Sequence, residues 1–238
     1  MSEDGGGNGL EHIKGVEAYF IGVDIGRTMD HSAVCVLARR MEVADPENPR
    51  VEVMYPMYYA TYMRQLDIGT PYYVLIEELD RLWRLPALIA TRNAMIIDQT
   101  GVGAPIVEAV RKDKKIAPCI GVVFTGGERA TQTMDNEYHV PKAELVSTLV
   151  HTTQRGRIKL LPGLEHEQEY FDQLAVFGYK VNRETGNISY EALQQQVHDD
   201  LVVATALALW YGERKWPAIA PGRRVGWVSE EYDPLGRT

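Results

Sequence analysis

The sequence predicts an α/β fold organised on one mixed sheet flanked by helices, and three observations predict it. Three β-type runs between Tyr19 and Tyr58 are joined by short connections, which suits an antiparallel meander. From Ala94 onward strands alternate with helices, the pattern of a sheet whose later strands run parallel. A segment from Asp200 to Tyr211 is Ala/Leu-rich and apolar nearly all round, so its helix needs a sheet to cover it.

The first strand is read over Tyr19 to Asp24 and ends in the loop Ile25 to His31. Ser32 to Arg39 follows, with Val34, Val36 and Ala38 alternating with Ala33, Cys35 and Leu37, so both faces are apolar as in a central, covered strand. Asp45-Pro46-Glu47-Asn48-Pro49 makes a turn into a third strand, Arg50 to Tyr58. Thr70 offers a cap for a helix opening at Pro71 and running to Pro86, with Leu75, Leu79, Leu82 and Leu85 on one stripe. Ala94 to Asp98 is a strand that runs through Gln99 to Gly103 into a helix over Ala104 to Lys112.

Cys119 to Phe124 reads as another parallel-type strand, and Thr125 to Tyr138, rich in Gly, Thr, Gln and Asn, as a polar loop that is mobile or ordered by a ligand. A helix over Lys142 to Thr153 turns Leu145, Leu149 and Val150 inward; a short strand, Arg157 to Leu160, and a helix, Leu164 to Leu174, come next. Ala175 to Val181 and Asn187 to Tyr190 flank Asn182-Arg183-Glu184-Thr185-Gly186 as a hairpin whose glycine suits a positive φ. The chain is divided into a flexible linker at 1–17, one domain at 18–213 and a tail at 214–238. With 238 residues, two small domains are the alternative.

No run of about 18 apolar residues exists, and the Ser/Asp/Gly-rich opening has no apolar signal core, so a soluble, cytoplasmic protein is expected, with no membrane partner. Cys35 and Cys119 lie far apart in apolar runs and read as buried free thiols rather than a disulfide framework. A net charge of -8 argues against sequence-blind coating of nucleic acid, where phosphate neutralisation supplies most of the affinity. Two local basic runs remain: Arg111, Lys112, Lys114 and Lys115, then Arg155, Arg157 and Lys159. Each is either a DNA track or a solvated face.

Chemistry concentrates in carboxylates. Asp24 ends one apolar strand and Asp98 another, and functional side chains gather at the carboxyl ends of strands in α/β sheets. Asp199 and Asp200 open the apolar helix, where free backbone amides favour anions; capping is the plain alternative for them, and turn capping for Asp24. Three separated segments thus offer acids to one compact site, and a divalent cation offsets the cost of burying them together. Mg²⁺ or Mn²⁺ takes oxygen ligands, and two such ions about 3.5 to 4 Å apart stabilise both the attacking and the leaving oxygen of a phosphodiester. Asp24 would bridge the two ions, with Asp98 and Asp200 on opposite sides.

Neighbouring polar groups extend the candidate site. Gly26 permits close backbone approach, while Thr28, Asp30, His31 and Ser32 stand near it; His31 offers proton transfer or a phosphate contact, or is simply a hydrogen-bonding surface residue. His198 is in the same position, and Lys142 reads as a contact to DNA or to the metal's surroundings, or as a solvated helix lysine. The Gln99 to Gly103 loop has amides to present to phosphate but is not a P-loop, and no other stretch supplies GxxxxGK[ST].

Taken in order, Gly22-Val23-Asp24-Ile25-Gly26, Asp98-Gln99-Thr100-Gly101-Val102-Gly103-Ala104-Pro105, Pro141-Lys142-Ala143-Glu144-Leu145 and His198-Asp199-Asp200-Leu201-Val202-Val203-Ala204-Thr205-Ala206-Leu207-Ala208 resemble the nuclease domain of the large terminase subunit of tailed bacteriophages, over roughly Tyr19 to Tyr211. The resemblance implies a ribonuclease H-like fold and a two-metal nuclease that cuts concatemeric double-stranded DNA during genome packaging in the host cell. It maps the catalytic acids to Asp24, Asp98 and the Asp199-Asp200 pair, Asp200 being the metal ligand of the two. It also sets the loop Thr125 to Tyr138 and the hairpin around Thr185 beside the DNA cleft. A packaging ATPase domain N-terminal to the nuclease, the portal protein and the small terminase subunit are the implied partners, and the ATPase half is not in this chain.

Other readings stay open at this point. Asp24-Ile25-Gly26-Arg27-Thr28 also resembles the first phosphate loop of actin-like sugar kinases and ATPases, which need a second comparable domain and a further phosphate loop. A junction-resolving nuclease shares the sheet and the acids. A noncatalytic docking module would use the acids as caps and the basic runs as partner contacts.

Overall fold

The protein is described by a computed structural model over residues 13–26, 30–43, 54–181, 188–192 and 198–215. The turn at Asp45 to Pro49, the hairpin turn at Asn182 to Gly186, Thr28, most of the N-terminal linker and the tail beyond Lys215 lie outside the described residues.

The first strand, β1 (Ala18–Asp24), sits in the interior of an eight-stranded sheet, with β2 (Ser32–Val43) antiparallel on one side. β3 (Met54–Leu66) pairs antiparallel with β2, completing the expected meander. It runs well past the expected end at Tyr58. Polar Arg64 and Gln65 mask its continuation in the sequence, yet Ala60, Met63 and Leu66 still enter the core. A bulge between Val36 and Leu37 leaves Thr61 as the extra residue of β3, and its hydroxyl donates to the Val36 carbonyl at 3.2 Å.

α1 (Tyr72–Trp83) buries Leu75, Leu79 and Leu82. Thr70 does not cap it, contrary to expectation: its hydroxyl donates back to the Asp67 carbonyl at 2.6 Å, and extended Pro71 precedes the first turn. The helix also stops before Pro86, which opens a second short helix, α2 (Pro86–Ile89), because a proline is tolerated at a first position but breaks an interior. β4 (Arg92–Asp98) is parallel to β1, α3 (Gly103–Lys112) follows, and β5 (Cys119–Thr125) is parallel to β4.

The expected polar loop from Thr125 to Tyr138 is largely a hairpin instead. β6 (Thr131–Met134) turns through Asp135 and left-handed Asn136 (φ 63°) into β7 (Glu137–Pro141), which pairs parallel with β5. All four residues of β6 are exposed at the sheet edge, so no apolar alternation marks the strand. α4 (Lys142–Gln154) leads to β8 (Ile158–Leu160), parallel to β3. α5 (Glu167–Val176) starts later than expected, after left-handed His166. β9 (Phe177–Val181) and β10 (Ile188–Ala192) form a separate antiparallel pair, and α6 (Asp200–Lys215) ends the described chain.

Helices cover both faces. Tyr19, Ile21, Val23, Val34 and Val36 pack with leucines of α1 and with Ile106, Val107 and Val110 of α3. On the other face Phe20, Cys35, Leu37, Ala94 and Ile96 pack against α6, over which α4 and α5 lie in turn. This explains why α6 is apolar all round: Asp200 to Gly212 is buried without a break. Its approach to β1 depends on Gly22, where an added Cβ would stand 1.9 Å from the Ala204 carbonyl oxygen. Both cysteines are buried free thiols, as expected, and burial pushes each up to about 12.

Candidate metal centre

Parallel pairing sets the first two acids side by side. Val23 of β1 lies opposite Ile97 of β4, so Asp24 and Asp98 follow at the adjacent carboxyl ends of the two strands. α6 then brings the second pair, because its backbone meets β1 at Ala204, one turn beyond Asp200. The electrostatics register the convergence. Asp24 is held well above the usual carboxylate range, first by burial and then by the negative charges of Asp98, Asp200 and Asp199, with Lys142 opposing them.

Each acid is held differently. Asp98 is buried, and its Oδ1 accepts the Thr100 amide at 2.8 Å while the Thr100 hydroxyl accepts the Phe124 amide at 2.9 Å, tying the end of β4 to β5. In this loop Gly103 serves packing: a Cβ there would stand 2.1 Å from the Asp98 carbonyl oxygen, so glycine lets α3 start directly over the strand end. Asp199 is half-buried and paired through Oδ2 with Lys142 Nζ at 3.1 Å. Lys142 therefore faces the acid pair rather than bulk solvent.

Asp200 is 2% exposed, and its Oδ2 is buried with no hydrogen-bond partner. Burial, then the Asp30 and Asp199 carboxylates, push its carboxyl up to about 8. Capping does not account for the acid pair. The Leu201 and Val202 amides, the donors a capping acid would satisfy, both point to Gln173 Oε1, at 2.9 and 3.4 Å.

The loop after β1 supplies a residue that sequence reasoning noticed only as a polar neighbour. Asp30 Oδ1 lies 2.6 Å from His198 Nδ1, which is 4.0 Å from Asp200 Oδ2. One ligand atom each from Asp30, His198 and Asp200 fall within 4.8 Å of one another, the spacing of a cation's ligands; Asp24 and Asp98 are not members of this group. No periodicity tells which way a loop side chain points, so the only signal for Asp30 was an acid in the connection leaving Asp24. His31 supports the arrangement: its ring meets His198 edge to face at 4.9 Å, and its Nδ1 lies 2.7 Å from the Leu66 carbonyl oxygen. Tyr72 donates to the Gly26 carbonyl at 3.1 Å at the other end of the same loop.

Of the two basic runs, key members are engaged within the chain. Arg111 donates to the carbonyls of Cys119 and Asn136 and to Glu137, joining α3 to the sheet. Arg157 is buried against Glu213, which also accepts the Tyr58 hydroxyl. Neither is free for a DNA track, whereas Lys112 and Lys114 make exposed pairs that water weakens.

An oxygen-rich set with one imidazole suits a hard divalent cation such as Mg²⁺ or Mn²⁺. The Oδ2 of Asp200, buried without a hydrogen-bond partner, is an acceptor that such a cation would satisfy.

No protein-family model and no curated protein matches this chain. Among solved structures it is similar to the large terminase nuclease from the thermophilic phage G20c, at 18% identity and a TM-score of 0.51, covering 82% of this chain and 84% of that one. It is also similar to the g2p large terminase nuclease domain from bacteriophage SPP1 with bound Mn, at 12% identity and a TM-score of 0.43, covering 84% of this chain and 87% of that one. A third likeness is to Thermus thermophilus RuvC, at 13% identity and a TM-score of 0.37, covering 84% of this chain and 98% of that one. The likeness to the G20c structure is one of fold: a ribonuclease H-like mixed sheet flanked by helices.

Proposed function

We propose that this chain is a divalent-metal-dependent DNA endonuclease that cuts concatemeric double-stranded viral DNA during genome packaging. The observation that carries the reading is the meeting of four carboxylates from three distant segments, Asp24, Asp98, Asp199 and Asp200, with a buried oxygen of Asp200 left unpartnered. The fold it shares with a phage terminase nuclease supports the same reading.

In this reading Asp24, Asp98 and Asp200 would hold two ions, Mg²⁺ or Mn²⁺, with Asp30 and His198 beside Asp200. When bound, the ions supply charge stabilisation to the attacking and leaving oxygens of the phosphodiester. The chain's own residues do the rest. Lys142 holds Asp199 aside by their ion pair, and Thr100 orients Asp98 through its amide. Asp30 Oδ1 orients the His198 ring across their 2.6 Å contact, and His31 braces it. DNA is positioned by phosphate contacts with little base readout, as cutting during packaging requires. The enzyme would act in the host-cell cytoplasm beside a packaging ATPase domain, with the portal protein and the small terminase subunit as partners.

A plasmid cleavage assay with Mg²⁺ and with Mn²⁺ tests the proposal. Wild-type protein should nick and linearise the plasmid, and Asp24→Asn and Asp200→Asn should not while remaining folded. Full cleavage by Asp24→Asn would remove the assignment.

A further inference from the structure

A buried helix start that carries adjacent aspartates has a default arrangement: one acid folds back and accepts the free amides of the first turn. α6 does not use it. The Leu201 and Val202 amides donate to Gln173 Oε1, which reaches across from α5. Gln173 is itself buried, and its Nε2 donates to Gln65 Oε1 of β3 at 3.1 Å, so its oxygen faces two donors and its nitrogen an acceptor.

A second, independent observation lies one residue away from the occupied amides. Asp200 Oδ2 is buried and without a hydrogen-bond partner, with His198 Nδ1 4.0 Å away. Neither Leu201 nor Val202 donates to it, because both amides are taken by Gln173. Asp199 likewise turns to Lys142 instead of capping the helix. A neutral amide is the right chemistry for the cap, because it satisfies the helix start without adding a negative charge to a cluster that already holds Asp24, Asp30, Asp199 and Asp200.

We infer that Gln173 is a positioning residue: it caps α6 from another element and thereby leaves the Asp199-Asp200 pair available to a divalent cation. This rests on the metal-dependent reading above. Removing the acceptor would expose the Leu201 and Val202 amides, and Asp199, whose carbonyl opens the helix, would turn from Lys142 onto them and pull the acid pair away from the cation.

Titration calorimetry of the metal-free protein with MnCl₂ tests this with three proteins. Gln173→Met keeps the side-chain length but has no acceptor oxygen, and it should bind Mn²⁺ about tenfold more weakly than wild type. Gln173→Glu loses the donor to Gln65 in the same way but keeps the acceptor, and its affinity should stay within about threefold of wild type or exceed it. Equal weakening in both variants would assign Gln173 to packing alone and overturn the inference, as would wild-type affinity in Gln173→Met. Should Gln173→Met fail to unfold cooperatively, Gln65→Met carries the test, since it frees the amide to rotate off the helix; an unchanged affinity there overturns the inference too. If wild-type protein takes up no Mn²⁺, the metal-dependent reading itself fails.

Discussion

Replacing Gly22 by alanine is expected to force α6 off the sheet and to disable the acid cluster in the same stroke. The new Cβ would lie 1.9 Å from the Ala204 carbonyl oxygen and 3.0 Å from the Ala208 amide nitrogen, whereas ordinary contact begins at 3.4 Å. Relief therefore needs a shift of about 1.5 Å, obtained as 3.4 minus 1.9, between two buried backbones that have no rotamer to change. Overpacking by a methyl group commonly costs about 1–3 kcal/mol when side chains can yield; backbone against backbone, we expect at least about 3 kcal/mol. Asp200 is one turn from the point of impact and Asp24 two residues from it, so the shift also parts the acids. Urea unfolding should show the lower midpoint, and Mn²⁺ calorimetry on the folded fraction an affinity down by more than about tenfold. A loss below about 1 kcal/mol with wild-type Mn²⁺ affinity would refute the packing argument.

The acids give a pH signature. Asp24 and Asp200 both have folded-state pKa values above those of the unfolded chain, so the folded state binds more protons across the interval between the two. Stability of the metal-free protein should consequently fall as pH rises from about 4 through about 8, the value to which Asp200 is pushed. Thermal unfolding in a chelator at several pH values checks this; Mg²⁺ should flatten the decline, Asp200→Asn should lessen it, and a melting temperature that climbs from pH 5 to 8 would contradict it. Away from the site, Glu213→Ala leaves Arg157 and the Tyr58 hydroxyl buried without their shared acceptor, and should cost about 3–5 kcal/mol in denaturant unfolding. A loss under about 1 kcal/mol would mean that the pair is replaced by solvent.

The legible part of this protein was the part written in short-range pattern. Apolar runs that end in Asp24 and Asp98 announce strand ends, and an unbroken apolar helix announces a sheet to cover, so the mixed sheet and the acid pairs followed from local grammar. What stayed hidden is non-local or unpatterned. β6 carries four exposed residues, and its strand character comes from hydrogen bonds to β7, not from alternation. Thr70 looks like a cap but serves a turn, because the chain enters α1 through Pro71. Asp30 sits in irregular chain, and Gln173 meets its donors only after α5 folds across α6. Both are polar residues whose meaning lies in a distant partner.

The placement of α6 has a consequence for how the molecule comes into being. The final described helix fills the space over the first described strands, so one face of the sheet stays uncovered until almost every described residue has left the ribosome. Nascent chains that stop short of Asp200 would expose that face to aggregation and to proteolysis. They would also lack the Asp199-Asp200 pair, so a half-synthesised molecule holds no complete acid cluster. Readiness to bind metal thus arrives together with closure of the core.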